Sequence, residues 1–273
     1  MARIDDLDDL IPLLRADGDP KLADRKCNEK FGWERADAEA MFAEEMTALV
    51  DLQKRLFASK KASLLIVLQA MDAASKDSTI RAVMSGLTPA GVDVQPFGVP
   101  PDEETAHDYL WRIHAHAPAD GYIGVFNRSH YEDVLVVRVK GFVEKKVWKK
   151  RYAHIRAFEQ MLADEGTEIV KIFLHVSKEK QKERFEERLN RPDKNWKFRA
   201  GDLADRALWD DFMKEYTDAI EETSPDDAPW YVVPADRKWA RNVCIARILR
   251  HHLEKIDPAY PDPEEGLDQI EVV

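Results

Sequence analysis

The sequence predicts an α/β fold with a mainly parallel central sheet. Four short apolar segments with the character of buried strands lie at 64–68, 122–126, 169–176 and 230–233, and helical patterns lie between and after them. Strands that alternate with helices form parallel βαβ units with right-handed crossovers, so these segments are expected to share one sheet. Such sheets bind ligands outside the carboxyl ends of their strands, and the residues that follow each strand are therefore the candidates for function.

The period of the apolar residues predicts each element in turn. From 35 to 57, apolar residues recur with the spacing of one face of an amphipathic helix. The segment 64–68 is apolar at every position without alternation, which predicts a strand buried on both faces. Further helices are predicted at 103–116, 130–139, 144–163, 178–190, 203–222 and 235–255.

The composition is that of one globular domain. The chain has 273 residues, of which 44% are hydrophobic and 34% charged, which excludes a disordered or fibrous protein. No apolar run approaches the ~18 residues needed to cross a bilayer, so no membrane association is expected. The acidic first residues lack the order of a signal peptide, and two cysteines, Cys27 and Cys244, fit the reducing cytoplasm.

No break in composition marks a domain boundary, so a single domain over 1–273 is predicted. Its core is expected at about 31–256. The segments 1–30 and 257–273 are weakly periodic, and both are expected to be arms on the surface.

The charge is unevenly distributed along the chain. The net charge of −11 argues against a nucleic-acid-binding protein. Residues 140–156 nevertheless contain seven Lys and Arg against one Glu, and residues 178–199 contain nine basic against five acidic residues. We expect at least one of these stretches to bind an anionic ligand. The alternative is a pair of solvated helix faces with charge pairs along each helix.

A phosphate-binding loop is indicated directly after the first strand. Residues 70–77 have the spacing of the G-x4-G-K-[ST] loop, with Lys76 in the lysine position. Ala70 and Ser75 stand where glycines are usual, and Asp77 replaces the hydroxyl residue. A buried strand that enters a helix through small residues aims backbone N–H groups and the positive helix end at one point, which suits an anion. If Ser75 requires a positive φ, that backbone costs about 1 kcal/mol.

Two carboxylates in this loop predict a divalent cation. Asp72 and Asp77 next to a phosphate would be unfavourable unless a cation lies between them. Magnesium is the natural candidate because it is bound by one or two carboxylates together with substrate phosphates. The alternative is an ordinary strand-to-helix turn in which Asp72 is the N-cap.

The second strand ends at the same edge of the sheet. Asn127 stands at its end, and Arg128 offers a planar guanidinium suited to bidentate phosphate contact. Glu132 and Asp133 follow one helical turn later, in the region where phosphate-transferring enzymes place a metal-binding carboxylate. A helix start capped by Ser129 is the structural alternative, and both interpretations are compatible.

A basic lid is predicted at about 178–202. Arg184, Arg188 and Arg191 have i, i+4 and i+7 spacing on a helix that Pro192 ends. Three guanidiniums in a row suit a chain of phosphates, and a closing flap would exclude water from a phosphoryl-transfer site. The alternative is an exposed helix with Glu–Arg pairs, since glutamates are interleaved.

Together these segments resemble the polyphosphate kinase 2 family. The resemblance runs from about 31 to 253 through MDAASKDSTI, DEETAHDYLWRIHAHAP, GVFNRSHYEDVLVVRV, RLNRPDKNWKF and VPADRKWARN. It implies a three-layer α/β/α P-loop kinase-like fold with a helical lid. It also implies an enzyme that moves phosphoryl groups between inorganic polyphosphate and nucleotides, converting AMP to ADP and ADP to ATP.

The resemblance further implies site residues and partners. The implied catalytic residues are Lys76, Asp77, Arg128 and Asp133. The implied phosphate- and nucleotide-binding residues are Asp72, Ala73, Ala74, Ser75, Lys76, Ser78, Arg81, Asn127, Arg128, Glu132, Arg184 and Arg188. Asp72 and Asp133 would bind Mg²⁺, or Mn²⁺ in its place, because NRSHYED resembles the subgroup that accepts mono- and diphosphates. Adenine nucleotides, with guanine nucleotides as further substrates, and a homo-oligomer (dimer or tetramer) are expected.

Two other functions stay open from the sequence. One is a nucleoside-monophosphate kinase that uses ATP as donor, and the other is a protein that binds polyphosphate without turnover. Replacing polyphosphate by ATP as donor distinguishes the first, and binding without product distinguishes the second.

Overall fold

The computed structural model describes residues 3–16, 18–266 and 270. Its strands are β1 (Arg15–Ala16), β2 (Ser63–Gln69), β3 (Val92–Pro96), β4 (Ile123–Asn127), β5 (Thr167–His175) and β6 (Trp230–Pro234). They form one sheet in the order β1-β6-β5-β2-β4-β3. All neighbouring pairs are parallel except β1 and β6, so the predicted mainly parallel α/β fold is confirmed.

The α-helices of the described residues are α1 (Leu10–Leu14), α2 (Arg35–Ser59), α3 (Lys76–Met84), α4 (Asp102–Thr105), α5 (Trp111–His114), α6 (Val136–Val139), α7 (Lys145–Asp164), α8 (Lys178–Asn190), α9 (Ala200–Ala207), α10 (Trp209–Glu222) and α11 (Lys238–Ile256). Short 3-10 helices lie at Leu7–Asp9, Pro89–Gly91, His130–Asp133 and Pro192–Lys197. None of these helices is long and apolar enough to cross a membrane.

Helices cover the sheet because its central strands carry apolar side chains on both faces. Every residue of β2 is buried, as the absence of alternation predicts. On one face, α11 packs against α2, α3, β5 and β6, and on the other α7 packs against β5. Two side chains of β5 illustrate the two faces, since Glu168 binds His252 of α11 and Lys171 binds Glu159 of α7.

Three predicted helices are interrupted. The segment 103–116 forms α4 and α5, the segment 203–222 forms α9 and α10, and 130–139 forms a 3-10 turn followed by α6. Strand β3 was not predicted, because it is a short edge strand with mostly exposed or half-buried residues and so lacks an apolar run.

Within residues 3–16 and 18–30, the expectation of an arm lying on the surface is wrong, because this segment contributes side chains to the core. Leu10, Leu14, Ala16 and Leu22 are buried in the main core, and β1 pairs antiparallel with β6. The apolar residues are too widely spaced among Asp and Pro for their burial to be visible as a period. In the other predicted arm, residues 257–266 and 270 are exposed apart from Pro258, while 267–269 and 271–273 lie outside the described residues.

Candidate active site

The loop between β2 and α3 has the shape of an anion site. Ala73 has a φ of 58° and Ser75 a φ of 78°, so two non-glycine residues hold the left-handed backbone that turns the chain into α3. Ser75 is the N-cap of α3 but makes no side-chain capping hydrogen bond, which leaves the first N–H groups of the helix available to a ligand. The condition that makes Ser75 costly is therefore met.

Lys76 lies at the start of α3 with its side chain folded over the loop. Its ammonium donates a hydrogen bond to the Ala70 carbonyl at 2.8 Å. Burial, together with the nearby Arg128 guanidinium, lowers the pKa of Lys76 to about 8. Burial is the larger of these two causes, and the carboxylates of Asp72, Glu132 and Asp77 oppose them in part.

Arg128 joins the loop to the end of the second parallel strand. Its Nη2 donates to Asp72 Oδ1 at 2.7 Å. Burial alone would raise the pKa of Asp72, but Lys76 and Arg128 outweigh that effect and the pKa lies below its usual value. Arg128 itself has a φ of 64°, a left-handed backbone that turns the chain at the end of β4 toward the loop.

Glu132 belongs to the same group of charges. Burial raises its pKa, and the cations Arg128 and Lys76 offset this only in part. The amide of Gln69 lies between Ser129 and Glu132, and when its nitrogen faces the carboxylate it is 2.9 Å from Glu132 Oε1. We name Asp72, Lys76, Arg128 and Glu132 the phosphate-site cluster.

Asp133 is not brought into the phosphate-site cluster. Its Oδ1 accepts a hydrogen bond from Arg151 Nη1 at 2.9 Å, and the same nitrogen binds the Asp133 carbonyl. Burial raises the pKa of Asp133, opposed by Arg151, Arg112 and His130 rather than by Lys76 or Arg128. The 3-10 turn at His130–Asp133 sends two successive carboxylates in different directions, which their adjacency in the sequence does not reveal.

Asp77 and Asn127 form a bridge at the open side of the loop. Asn127 Nδ2 donates to Asp77 Oδ1 at 3.1 Å, and Lys197 Nζ lies 3.5 Å from Asp77 Oδ2. Burial would raise the pKa of Asp77, but the Asn127 hydrogen bond and Lys197 lower it overall. Since Lys197 ends the 3-10 helix at Pro192–Lys197, the predicted lid contacts the loop.

The first turns of α8 are fastened to the loop itself. Gln181 Nε2 donates to the Asp72 carbonyl at 2.9 Å, and Arg184 Nη1 donates to the Ala73 carbonyl at 3.0 Å. Arg184 also binds the Ala235 carbonyl at 2.8 Å and is buried. In this structure Arg184 therefore supports the loop from below, instead of lining a groove with its neighbours.

The remaining predicted contacts lie around the loop. Arg188 is paired with Asp202 at 3.3 Å. Burial and the nearby Asp72 carboxylate raise the pKa of Asp202, and Arg188 and Arg128 oppose this. Ala74 is buried, the Ser78 hydroxyl donates to the Ser75 carbonyl at 3.0 Å, and Arg81 is exposed on α3.

Sequence reasoning missed Gln69, Gln181 and Arg151. The signal for Gln69 is a polar residue at the end of an otherwise apolar strand, next to the loop. Gln181 and Arg151 lie on helices among many polar residues, so only the tertiary structure identifies them.

The carboxylates fit a magnesium ion better than a metal held by protein alone. Among the described residues, no group of three or more His, Cys, Asp or Glu side chains could hold a metal ion. Mg²⁺ requires only one or two carboxylates, because waters and substrate phosphates complete its coordination. Asp72 and Glu132 supply two oxygen donors, and the partly uncompensated Glu132 would gain from a nearby cation.

A strand–loop–helix with a lysine, an arginine from the next strand and two carboxylates defines a phosphotransferase of P-loop kinase-like fold. The family described as Polyphosphate kinase 2 (PPK2) matches residues 32–261. The chain belongs to the polyphosphate kinase 2 family, and it is a polyphosphate kinase.

Relatives extend over most of the chain. It is 55% identical over 222 residues to the AMP/ADP-polyphosphate phosphotransferase of Meiothermus ruber, covering 81% of this chain and 83% of that one. It is 44% identical over 230 residues to the ADP-polyphosphate phosphotransferase of Rhodopseudomonas palustris, covering 80% of each. The crystal structure of polyphosphate kinase 2 from Arthrobacter aurescens TC1 matches with a TM-score of 0.94 and 38% identity, over 98% of this chain and 97% of that one.

Proposed function

We propose that this polyphosphate kinase moves a phosphoryl group between inorganic polyphosphate and both AMP and ADP. The observation that carries the proposal is the phosphate-site cluster, where Lys76 and Arg128 face Asp72 and Glu132 beside a loop with free helix N–H groups. The 55% identity to an AMP/ADP-polyphosphate phosphotransferase supports the use of both mono- and diphosphates.

The residues of the cluster act by positioning and by charge. Lys76 and Arg128 approach the transferring phosphoryl group from two sides, and the N–H groups of α3 bind its oxygens. A terminal phosphate oxygen of the acceptor is already ionised, so no strong general base is needed. Catalysis therefore depends on alignment of the two substrates and on stabilising the charge of the transition state.

Asp72 and Glu132 are the carboxylates that we propose to hold Mg²⁺, or Mn²⁺ in its place. When bound, this ion would neutralise charge on the donor and acceptor phosphates. Asp133, for which the family resemblance implied a metal role, accepts a hydrogen bond from Arg151, and we assign it the separate role of fixing α7 to the turn.

The region at about 178–202 supplies the contacts for the phosphate chain. Arg188 and Lys197 lie on the loop side of this region and are only partly buried. Their present partners, Asp202 and Asp77, are carboxylates that a polyanion would displace. Long-range attraction by the basic stretches is consistent with a polyanionic donor despite the net charge of −11.

Adenine nucleotides are the proposed acceptors, guanine nucleotides are further candidates, and a cytoplasmic homo-oligomer (dimer or tetramer) is the proposed state.

A product assay tests the function. AMP, ADP, GMP and GDP are each incubated with polyphosphate, with and without Mg²⁺, and parallel reactions replace polyphosphate by ATP. Formation of ADP from AMP and of ATP from ADP with polyphosphate and Mg²⁺ supports the proposal. Activity with ATP and AMP but none with polyphosphate contradicts it.

A further inference from the structure

A buried lysine on β5 pairs with a carboxylate that contacts the turn after β4. Lys171 is on β5 between apolar residues and is fully buried. Its ammonium lies 2.5 Å from Glu159 Oε2 on α7 and donates to the Thr223 carbonyl at 2.7 Å. Burial alone would raise the pKa of Glu159, but Lys171 and His130 outweigh it and the pKa lies below its usual value. Burial in turn lowers the pKa of Lys171, opposed by the attraction of Glu159.

The other oxygen of Glu159 holds the turn after β4. Glu159 Oε1 accepts a hydrogen bond from the Tyr131 hydroxyl at 2.8 Å and lies 3.1 Å from His130 Nε2. The Tyr131 hydroxyl also lies 3.0 Å from Thr223 Oγ1. His130 and Tyr131 are both buried. One carboxylate thus fastens two consecutive residues of the 3-10 turn to α7 and β5.

These two residues stand between the active-site groups. Arg128 precedes them and Glu132 follows Tyr131 directly, so the backbone that carries these two of the four cluster residues is held at His130 and Tyr131. Arg128 has a left-handed backbone, and such a conformation persists only where the surroundings enforce it.

Stability alone does not account for an ion pair at this position. Taking two charges out of water opposes their attraction, and replacing a buried pair by apolar side chains of similar size is often neutral or stabilising. The neighbours on β5 are apolar, so such side chains would be accommodated. What apolar residues cannot provide is an acceptor of fixed geometry for His130 and Tyr131.

We propose that the Lys171–Glu159 pair positions Glu132 and Arg128 for phosphoryl transfer by holding His130 and Tyr131. The proposal rests on the function proposed above. Lys171 and Glu159 touch no substrate, so they are positioning residues. They act on the rate of the chemical step and on the metal requirement, rather than on capture of polyphosphate.

Three variants of the full chain test this role. Lys171→Met/Glu159→Leu removes both charges together with the acceptor. Lys171→Met/Glu159→Gln also removes the charges but keeps an acceptor oxygen for Tyr131. The matched control is Glu168→Gln/His252→Gln, which removes a carboxylate–imidazole contact of 2.6 Å on the opposite face of the same strand.

The measurements are kcat, KM for polyphosphate, the Mg²⁺ concentration at half-maximal rate, the unfolding midpoint and hydrogen exchange of amides 128–134. For the Leu variant we expect kcat to fall on the order of 10- to 100-fold, because displacement of a reacting group by about 1 Å has effects of that size. Its KM for polyphosphate stays within about threefold, whereas its unfolding midpoint falls because the buried His130 and Tyr131 lose their acceptor. Amide exchange at 128–134 rises in this variant and not in the control. The Gln variant recovers most of kcat.

Contrary outcomes are equally defined. The proposal is overturned if the Leu variant keeps kcat within about twofold, if the Gln variant is no better than the Leu variant, or if the control loses as much. Should the Leu variant not fold, Tyr131→Phe decides, since it removes one hydroxyl and is expected to lower kcat without lowering the unfolding midpoint. If the parent itself transfers no phosphate from polyphosphate, the proposed function fails, while the exchange of amides 128–134 still tests the positioning role.

Discussion

Asp72 and Arg128 lie 2.7 Å apart and thereby join two loops that are 56 residues apart in sequence. Both side chains keep part of their surface open to solvent, so phosphate oxygens and a cation can compete for them. The Asp72–Arg128 pair therefore holds the loop after β2 close to the end of β4 before substrates bind. When they bind, Arg128 exchanges Asp72 for a phosphate, and Asp72 exchanges Arg128 for a cation.

Arg128→Ala is expected to lower kcat on the order of 10³-fold, as loss of an arginine that stabilises the phosphoryl transition state does in other enzymes. Arg128→Lys is expected to restore little of this, because an ammonium lacks the planar fork that binds two phosphate oxygens. Steady-state rates with saturating ADP and polyphosphate measure both variants. A Lys variant with the rate of the parent contradicts this role for the guanidinium.

The basic limb of the pH profile is expected to report Lys76. Its pKa of about 8 lies below the usual value, so the free enzyme loses the required proton as the pH rises through 8. The value of kcat/KM for polyphosphate, which reports the free enzyme, then falls about tenfold per pH unit above that point. Lys76→Arg moves this limb to higher pH because a guanidinium keeps its proton. Lys76→Ala is expected to abolish transfer. If kcat/KM of the parent enzyme stays constant up to pH 10, the deprotonation of Lys76 does not limit the reaction in this range.

Glu132→Gln and Asp133→Asn separate the two carboxylates of the turn. We expect Glu132→Gln to lower kcat on the order of 100-fold and to raise the Mg²⁺ concentration at half-maximal rate, because a cluster ligand is lost. Asp133→Asn leaves the cluster intact, and its Mg²⁺ dependence should stay that of the parent. Titration of the rate with Mg²⁺ compares them, and the reverse ranking would return the metal role to Asp133.

Ser75→Gly is expected to stabilise the protein without loss of activity. Relief of the left-handed backbone at Ser75 is worth about 1–2 kcal/mol, and the greater freedom of glycine in the unfolded chain offsets about 0.4–1 kcal/mol of it. Chemical denaturation measures the difference. The control is Ser85→Gly, where φ is −67° and only the entropic loss applies. Equal destabilisation by both changes would contradict the strain at Ser75.

Arg184→Ala and Arg188→Ala are expected to fail differently. Arg184→Ala leaves the Ala73 and Ala235 carbonyls without their donor and should lower the free energy of unfolding by about 2–4 kcal/mol. Arg188→Ala should remain within about 1 kcal/mol of the parent, since it removes a partly exposed pair with Asp202 and a hydrogen bond to the Lys197 carbonyl, and it should raise KM for polyphosphate. Denaturation and steady-state kinetics together distinguish them, and a shared pattern would argue against separate roles.

The central strands were predictable because their residues are buried on both faces and are mostly apolar, with Lys171 of β5 as an exception. Strand β3 and the two-residue β1 lie at the edges, where one strand contact suffices and the apolar signal is weak. The breaks within 103–116, 130–139 and 203–222 escaped prediction because tertiary packing, not the local period, ends those helices.

The active-site residues likewise include some whose position could be predicted from the sequence and others whose position could not. Lys76, Asp72 and Arg128 follow strand ends, so topology alone brings them together. The direction of a side chain within a turn, in contrast, cannot be predicted from the order of the strands. Glu132 and Asp133 are adjacent, and only the 3-10 geometry decides which of them meets Lys76. Likewise, Arg184 shares a helical face with Arg188, yet its burial under Ala73 comes from the docking of α8 on the loop.

The two-residue strand at Arg15–Ala16 has a practical consequence for handling the protein. It is the piece that closes the rim of the sheet beside Trp230–Pro234. If residues 3–16 were trimmed, the backbone of that neighbouring strand would stand open as a template for another chain. A shortened enzyme would then tend to aggregate through this exposed edge strand, although its active-site residues would all be present. Purification tags are therefore better placed at the C-terminus.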